Sequence, residues 1–173
     1  QARGYLPSDP YSADRPLRPA AVPDAFLIPA DSLEFFGPYA SSYQEAWERA
    51  KRTLVRTGRK VIEIDTALLR EAAAQLYEGP WVAERWSDLE AFVEGNPGSA
   101  LPVTESILRT GAKTSLTATA LFRSQHRLAE IRRSTRELLK GAVLALPTAG
   151  GTWTREQALA DPIATNSRMG LYT

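Results

Sequence analysis

Between Ala25 and Asp65 the chain passes from a short apolar run, through a helical pattern, to a run of β-branched residues, and this order constrains the fold most. Ala25 to Ile28, ended by Pro29, reads as a buried strand, and Leu33 to Gly37 adds a second apolar patch. Ser42 with Glu45 three residues on makes a capping box. Ala46, Trp47, Ala50, Leu54 and Val55 follow at helical spacing until Gly58 closes the element. Lys60 to Asp65 then holds Val61, Ile62 and Ile64, interrupted by Glu63. Two strands joined through a helix form a βαβ unit with parallel strands, so the fold class is α/β.

Residues 1–24 carry Pro7, Pro10, Pro16, Pro19 and Pro23 and read as an extended connector, with residues 25–173 as the domain that follows. Asp65 or Thr66 can cap a helix through Leu68, Leu69, Ala72, Ala73 and Leu76. Pro80 opens the next helix, which has Val82, Leu89, Phe92 and Val93 apolar, reaches about Glu94 and stops at Gly95, Asn96 and Pro97. A short helix from Val103 to about Thr110 precedes the longest element, Ser115 to Lys140. There Leu116, Leu121, Phe122, Leu128, Ile131, Leu138 and Leu139 form a stripe toward the core, and the arginines face solvent. Ala142 to Leu146 is a short strand stopped by Pro147, which leaves Thr148 to Gly151 in a loop at its carboxyl end, where ligands often bind. Thr154 and Gln157 form a second capping box, and Pro162 discourages that helix from continuing. Ile163 to Thr173 is polar and glycine-bearing.

The candidate site lies at the helix boundary from Leu76 to Trp86. Gly79 and Pro80 end one helix and start another. Tyr77 finishes the incoming helix and Arg85 sits more than a turn into the outgoing one, so both can converge on one small group. A guanidinium grips a planar carboxylate with two parallel hydrogen bonds, and a phenol adds a third donor. The implied guest is a small molecule bearing a carboxylate. The plainer reading makes Trp81 and Trp86 core residues and pairs Arg85 with a nearby glutamate.

Other chemistries find little support. With 21 Lys plus Arg against 20 Asp plus Glu, the chain lacks the basic field that nucleic acid or an anionic membrane requires. It has no Cys, so thiolate nucleophiles, disulfides and Cys-based metal sites are excluded, and a cytoplasmic location fits. No apolar run has the length of a membrane span. His126, the sole histidine, sits mid-helix among Arg123, Gln125 and Arg127 and reads as a surface residue. Neither Glu78 with Glu84 nor Asp88 with Glu90 makes a convincing metal site. Gly150 and Gly151 lack the lysine and spacing of a phosphate loop.

Several blocks carry a family resemblance. Leu146-Pro-Thr-Ala-Gly150, Ala160-Asp-Pro-Ile163 and Asn166-Ser-Arg-Met-Gly-Leu-Tyr-Thr173 resemble the later part of an amidase-signature hydrolase. The Leu76–Arg85 stretch, Asp9-Pro-Tyr11 and Leu33-Glu-Phe-Phe-Gly37 are similar to the allophanate hydrolase group within that family. The resemblance implies part of an α/β/α sandwich around a mixed sheet, helix-rich in this segment. It also implies hydrolysis of the terminal amide of allophanate with release of ammonia, without metal or organic cofactor. In the family a serine nucleophile, a second serine in a cis peptide and a lysine do the chemistry within a Gly-Gly-Ser-Ser-Gly-Gly-type motif. That motif does not occur in this sequence. The chain is therefore expected to be a later-middle portion of the amidase domain, inactive alone, with the remainder of the domain as its partner. Tyr77 and Arg85 match the positions that hold the substrate carboxylate, whereas Asn166, Arg168 and Tyr172 receive no assigned role. A homodimer is compatible with this reading. A non-catalytic interaction module using the four tryptophans, and an amidase for another small amide, are the alternatives.

Overall fold

The computed structural model describes residues 4–14, 19, 21–113 and 115–172, and the side chains of Tyr77 and Glu78 lie outside that description. In chain order the elements are β1 (Ala25–Pro29), α1 (Ala40–Arg56), β2 (Lys60–Ile64), α2 (Ala67–Glu78), α3 (Trp81–Gly95) and α4 (Pro102–Arg109). A 3-10 turn at Thr110–Ala112 leads on to α5 (Ala118–Leu138), β3 (Ala142–Leu144), α6 (Arg155–Ala160) and α7 (Pro162–Met169).

The three strands form one sheet in the order β2-β1-β3. All pairs are parallel, with Phe26 in register with Val61 on one side and Val143 on the other. The expected βαβ unit is present, as α1 connects β1 to its neighbour β2. β1 lies in the middle because its residues are apolar on both faces, and Ala25, Leu27 and Ile28 are buried. Among the described residues the outer edges of β2 and β3 have no strand partner.

Several boundaries differ from the sequence reading for identifiable reasons. Tyr39, not Ser42, is the residue before α1 and makes no side-chain cap, so Ser42 lies inside the helix and Glu45 pairs with Arg49 at 3.8 Å instead of closing a box. α5 starts at Ala118 because the Thr117 hydroxyl accepts the Ala120 amide, leaving Leu116 before the helix. Pro162 does not merely stop a helix. It occupies the first turn of α7, whose Ala164 amide is capped by Asp161 at 3.0 Å. The Thr154–Gln157 box forms as expected, with both reciprocal bonds present. Arg127 of α5 faces solvent, as expected, and there forks onto Glu71 of α2 at 2.6 and 2.7 Å.

Helices α2 to α5 pack on one another, with α2 against α3 and α5, and α3 against α4 and the 3-10 turn. The stripe expected along α5 is only partly inside: Ile131 is buried, but Phe122 is 57% exposed. Among the described residues, Phe92, Leu101 and Phe122 are large apolar side chains that stand uncovered.

Candidate functional site

The α2–α3 corner is built by close approach. A Cβ on Gly79 would lie 2.6 Å from the Gln75 carbonyl oxygen, so only glycine lets the chain leave α2 at this angle. Pro80 stands immediately before α3 and donates no backbone hydrogen bond, which suits the free amide end of a helix. The inner face of α3 buries Val82, Trp86 and Val93. Against it lies the 3-10 turn, where a Cβ on Gly111 would meet the Trp86 Cβ at 2.5 Å and the Val82 carbonyl oxygen at 2.6 Å. The Arg109 guanidinium covers the Trp86 ring at 5.4 Å and pairs with Glu94 at 2.5 Å and Glu105 at 2.7 Å. Trp86 is thus a core residue, as the plainer reading held.

α5 ties the corner together from outside. The Ser124 hydroxyl donates to Gln75 Oε1 at 2.7 Å and accepts the Trp81 indole N–H at 3.0 Å, bridging the last turns of α2 and the first turn of α3. One turn on, the Arg127 fork holds Glu71, and that guanidinium keeps the Glu71 carboxyl below its ordinary range. Of the two expected ligand-holding residues, Arg85 is half-buried on α3 and has an interaction partner within the chain. The Tyr77 side chain lies outside the described residues, although its backbone belongs to the last turn of α2. An open cleft of about 380 Å³ lies between the first turns of α3 and α5, lined by residues including Trp81, Glu84, Leu116 and Leu121. Arg85 is not part of its wall.

A second arrangement stands at the carboxyl ends of the strands. Asp31, just beyond β1, accepts the Thr66 hydroxyl at 3.0 Å and Arg70 at 2.7 Å, and Arg70 and then Thr66 hold its carboxyl below the ordinary value. Phe36 donates its amide to the Gly150 carbonyl at 3.2 Å, so the loop after β1 and the loop after β3 run side by side. The Phe36 ring stacks on Trp153 at 5.1 Å, and Trp153 donates to the Thr165 carbonyl of α7 at 3.1 Å. The Tyr172 hydroxyl accepts the Glu34 amide at 2.5 Å and donates to the Glu34 carbonyl at 2.9 Å, while Arg168 pairs with the Glu34 carboxylate at 2.5 Å. Burial raises the Tyr172 phenol above its ordinary value. Arg168 and Tyr172 therefore brace the loop after β1, a role that sequence reading did not assign.

His126 is exposed on α5, as expected. Ser124 escaped notice because a lone serine inside a helix carries no pattern, and its partners lie 43 and 49 residues away.

No protein-family model matches the chain. It is 37% identical over 130 residues to a urea amidolyase of Saccharomyces cerevisiae, covering 73% of this chain and 7% of that protein. To the urea amidolyase of Lachancea kluyveri it is 30% identical over 175 aligned residues, covering 99% of this chain and 10% of that one. A solved allophanate hydrolase of Kluyveromyces lactis superimposes with a TM-score of 0.80 at 29% identity, over 94% of this chain and 27% of its own. The chain thus spans a tenth or less of the urea amidolyases it matches. Sequence likeness along almost all of its length and a shared backbone make the chain a homologue of one segment of the urea amidolyases and of the allophanate hydrolase.

Proposed function

We propose that this chain is the substrate-binding portion of an allophanate hydrolase-type amidase, in which Arg85 and Tyr77 hold the carboxylate of allophanate while the terminal amide is cleaved and ammonia released. The likeness to a solved allophanate hydrolase over nearly the whole chain carries this reading. The corner adds a physical reason for it. Arg85 stands half-buried on a helix whose position is set by Gly79 and by the packing of Gly111 on Trp86, so its guanidinium approaches a guest from a fixed base. Because Arg85 already has a partner in the chain, a bound carboxylate shares or displaces that partner.

In this reading the segment binds and orients, and the groups that break the amide come from the rest of the protein. A carboxylate held at one end leaves an allophanate molecule little freedom at the other, which brings its terminal amide repeatedly to the same place. The uncovered apolar surface fits the same picture, with the remainder of the amidase domain packing over residues such as Phe92, Leu101 and Phe122.

The reading as an interaction module has less support. Trp86 is buried, and the Trp81 and Trp153 N–H groups are engaged inside the chain, so these three residues offer no common exposed anchor face. Replacing Arg85 tests the proposal. In the full-length protein Arg85→Ala is expected to lower kcat/KM for allophanate about 100-fold or more, since removing one partner of a desolvated charge pair costs about 2–5 kcal/mol. An unchanged value removes Arg85 from the site.

A further inference from the structure

We propose that Ser124 is a positioning residue for substrate binding, fixing the Tyr77–Arg85 corner from the neighbouring helix α5. The inference rests on the carboxylate-holding role of that corner. At Gly79 and Pro80 the hydrogen-bond ladder of α2 ends before that of α3 begins, so nothing in the backbone ladder sets the angle between the two helices. Ser124 spans the break. Its hydroxyl donates to Gln75, which precedes Tyr77 by two residues, and accepts from Trp81, which precedes Arg85 by one helical turn. A hydroxyl suits this place because one small group supplies a donor to the amide oxygen and a lone pair to the indole. All three side chains are part-buried, so water replaces the bridge poorly. The Arg127–Glu71 fork, one turn further along both helices, keeps α5 from sliding against α2 and holds Ser124 opposite its partners.

A serine that only stabilised the fold would affect all ligands alike. One that sets the corner acts on the carboxylate end. The discriminating pair is allophanate and biuret, which carries a neutral amide where allophanate carries its carboxylate. In the full-length protein, Ser124→Ala is expected to raise KM for allophanate about five- to tenfold, the loss of one or two net hydrogen bonds. Over the same change kcat and the inhibition constant of biuret should stay within about twofold. Ser124→Thr, which keeps the hydroxyl, is expected to restore most of the loss. Trp81→Phe keeps the ring and removes the donor, so it should shift KM in the same direction by less, and adding it to Ser124→Ala should do little more. If Ser124→Ala does not fold, Trp81→Phe carries the test by itself.

Equal losses for allophanate and biuret, or a fall in kcat at constant KM, overturn the assignment. If Arg85→Ala destroys the preference for allophanate while Ser124→Ala and Trp81→Phe leave it intact, the Ser124 role fails and the carboxylate site stands. If Arg85→Ala also leaves the preference intact, both fail.

Discussion

The place where the 3-10 turn meets α3 permits a stability prediction that can be worked from distances. In Gly111→Ala the new Cβ would start 2.5 Å from the Trp86 Cβ and 2.6 Å from the Val82 carbonyl oxygen. Ordinary carbon–carbon contact lies at about 3.5–4.0 Å, so the Trp86 Cβ is too close by about an ångström or more. Neither neighbour is the tip of a flexible side chain, because one is backbone and the other the first carbon of a buried residue. The turn must therefore move off α3 as a unit, opening the packing around Trp86. Overpacking of this kind costs typically about 1–3 kcal/mol, and a rigid neighbour on both sides argues for the upper half, about 2–3 kcal/mol. For a chain of 173 residues that corresponds to a fall in Tm of about 4–12 °C. Gly95→Ala is the internal control, since a Cβ there meets nothing within 4 Å at the last residue of α3. It should be neutral or slightly stabilising, by up to about 1 kcal/mol. Thermal unfolding followed by circular dichroism compares the two variants, and equal Tm values would refute the packing argument.

Two further outcomes follow from hydrogen bonds and ion pairs at the sheet and on α2. Asp31 and Glu71 are both held below the ordinary carboxylate range, Asp31 by Arg70 and then Thr66, and Glu71 by Arg127. A depressed folded value means stability present above the unfolded carboxylate pKa of about 4 and lost as pH falls through the lower folded value. Asp31→Asn with Glu71→Gln should therefore lower Tm at neutral pH and lose that difference on strong acidification, and a difference independent of pH contradicts it. Tyr172→Phe removes both hydrogen bonds to the Glu34 backbone, at a cost of about 1 kcal/mol. Hydrogen exchange at the Glu34 and Phe36 amides should speed up accordingly, and unchanged protection denies Tyr172 its bracing role.

Local chemistry was legible wherever it also decided the outcome. Val61, Ile62 and Ile64 gave β2, and the parallel pairing with β1 followed from the helix between them. Thr154 and Gln157 formed the box their spacing announces, because both partners lie within one turn. Ser42 and Glu45 have the same spacing and form none, because α1 is already under way at Ala40 and the Glu45 amide, which Ser42 would have to cap, is inside the ladder. Phe122 misled for a different reason. Periodicity marks the apolar face of α5 but not whether another element of this chain covers it, and here none buries Phe122. The corner at Gly79 and Pro80 was visible because turn chemistry is local. What holds the corner was not visible, since Gln75, Trp81 and Ser124 meet only in three dimensions. The same applies to Glu34 and Tyr172, which are 138 residues apart.

If Arg85 recognises the negative end of the substrate, the ratio of the biuret inhibition constant to the allophanate KM, compared between the full-length protein and its Arg85→Ala variant, reports it directly. The unaltered protein should strongly prefer the charged molecule, and the substitution should reduce that preference about 100-fold. A ratio that is the same in both proteins would contradict it.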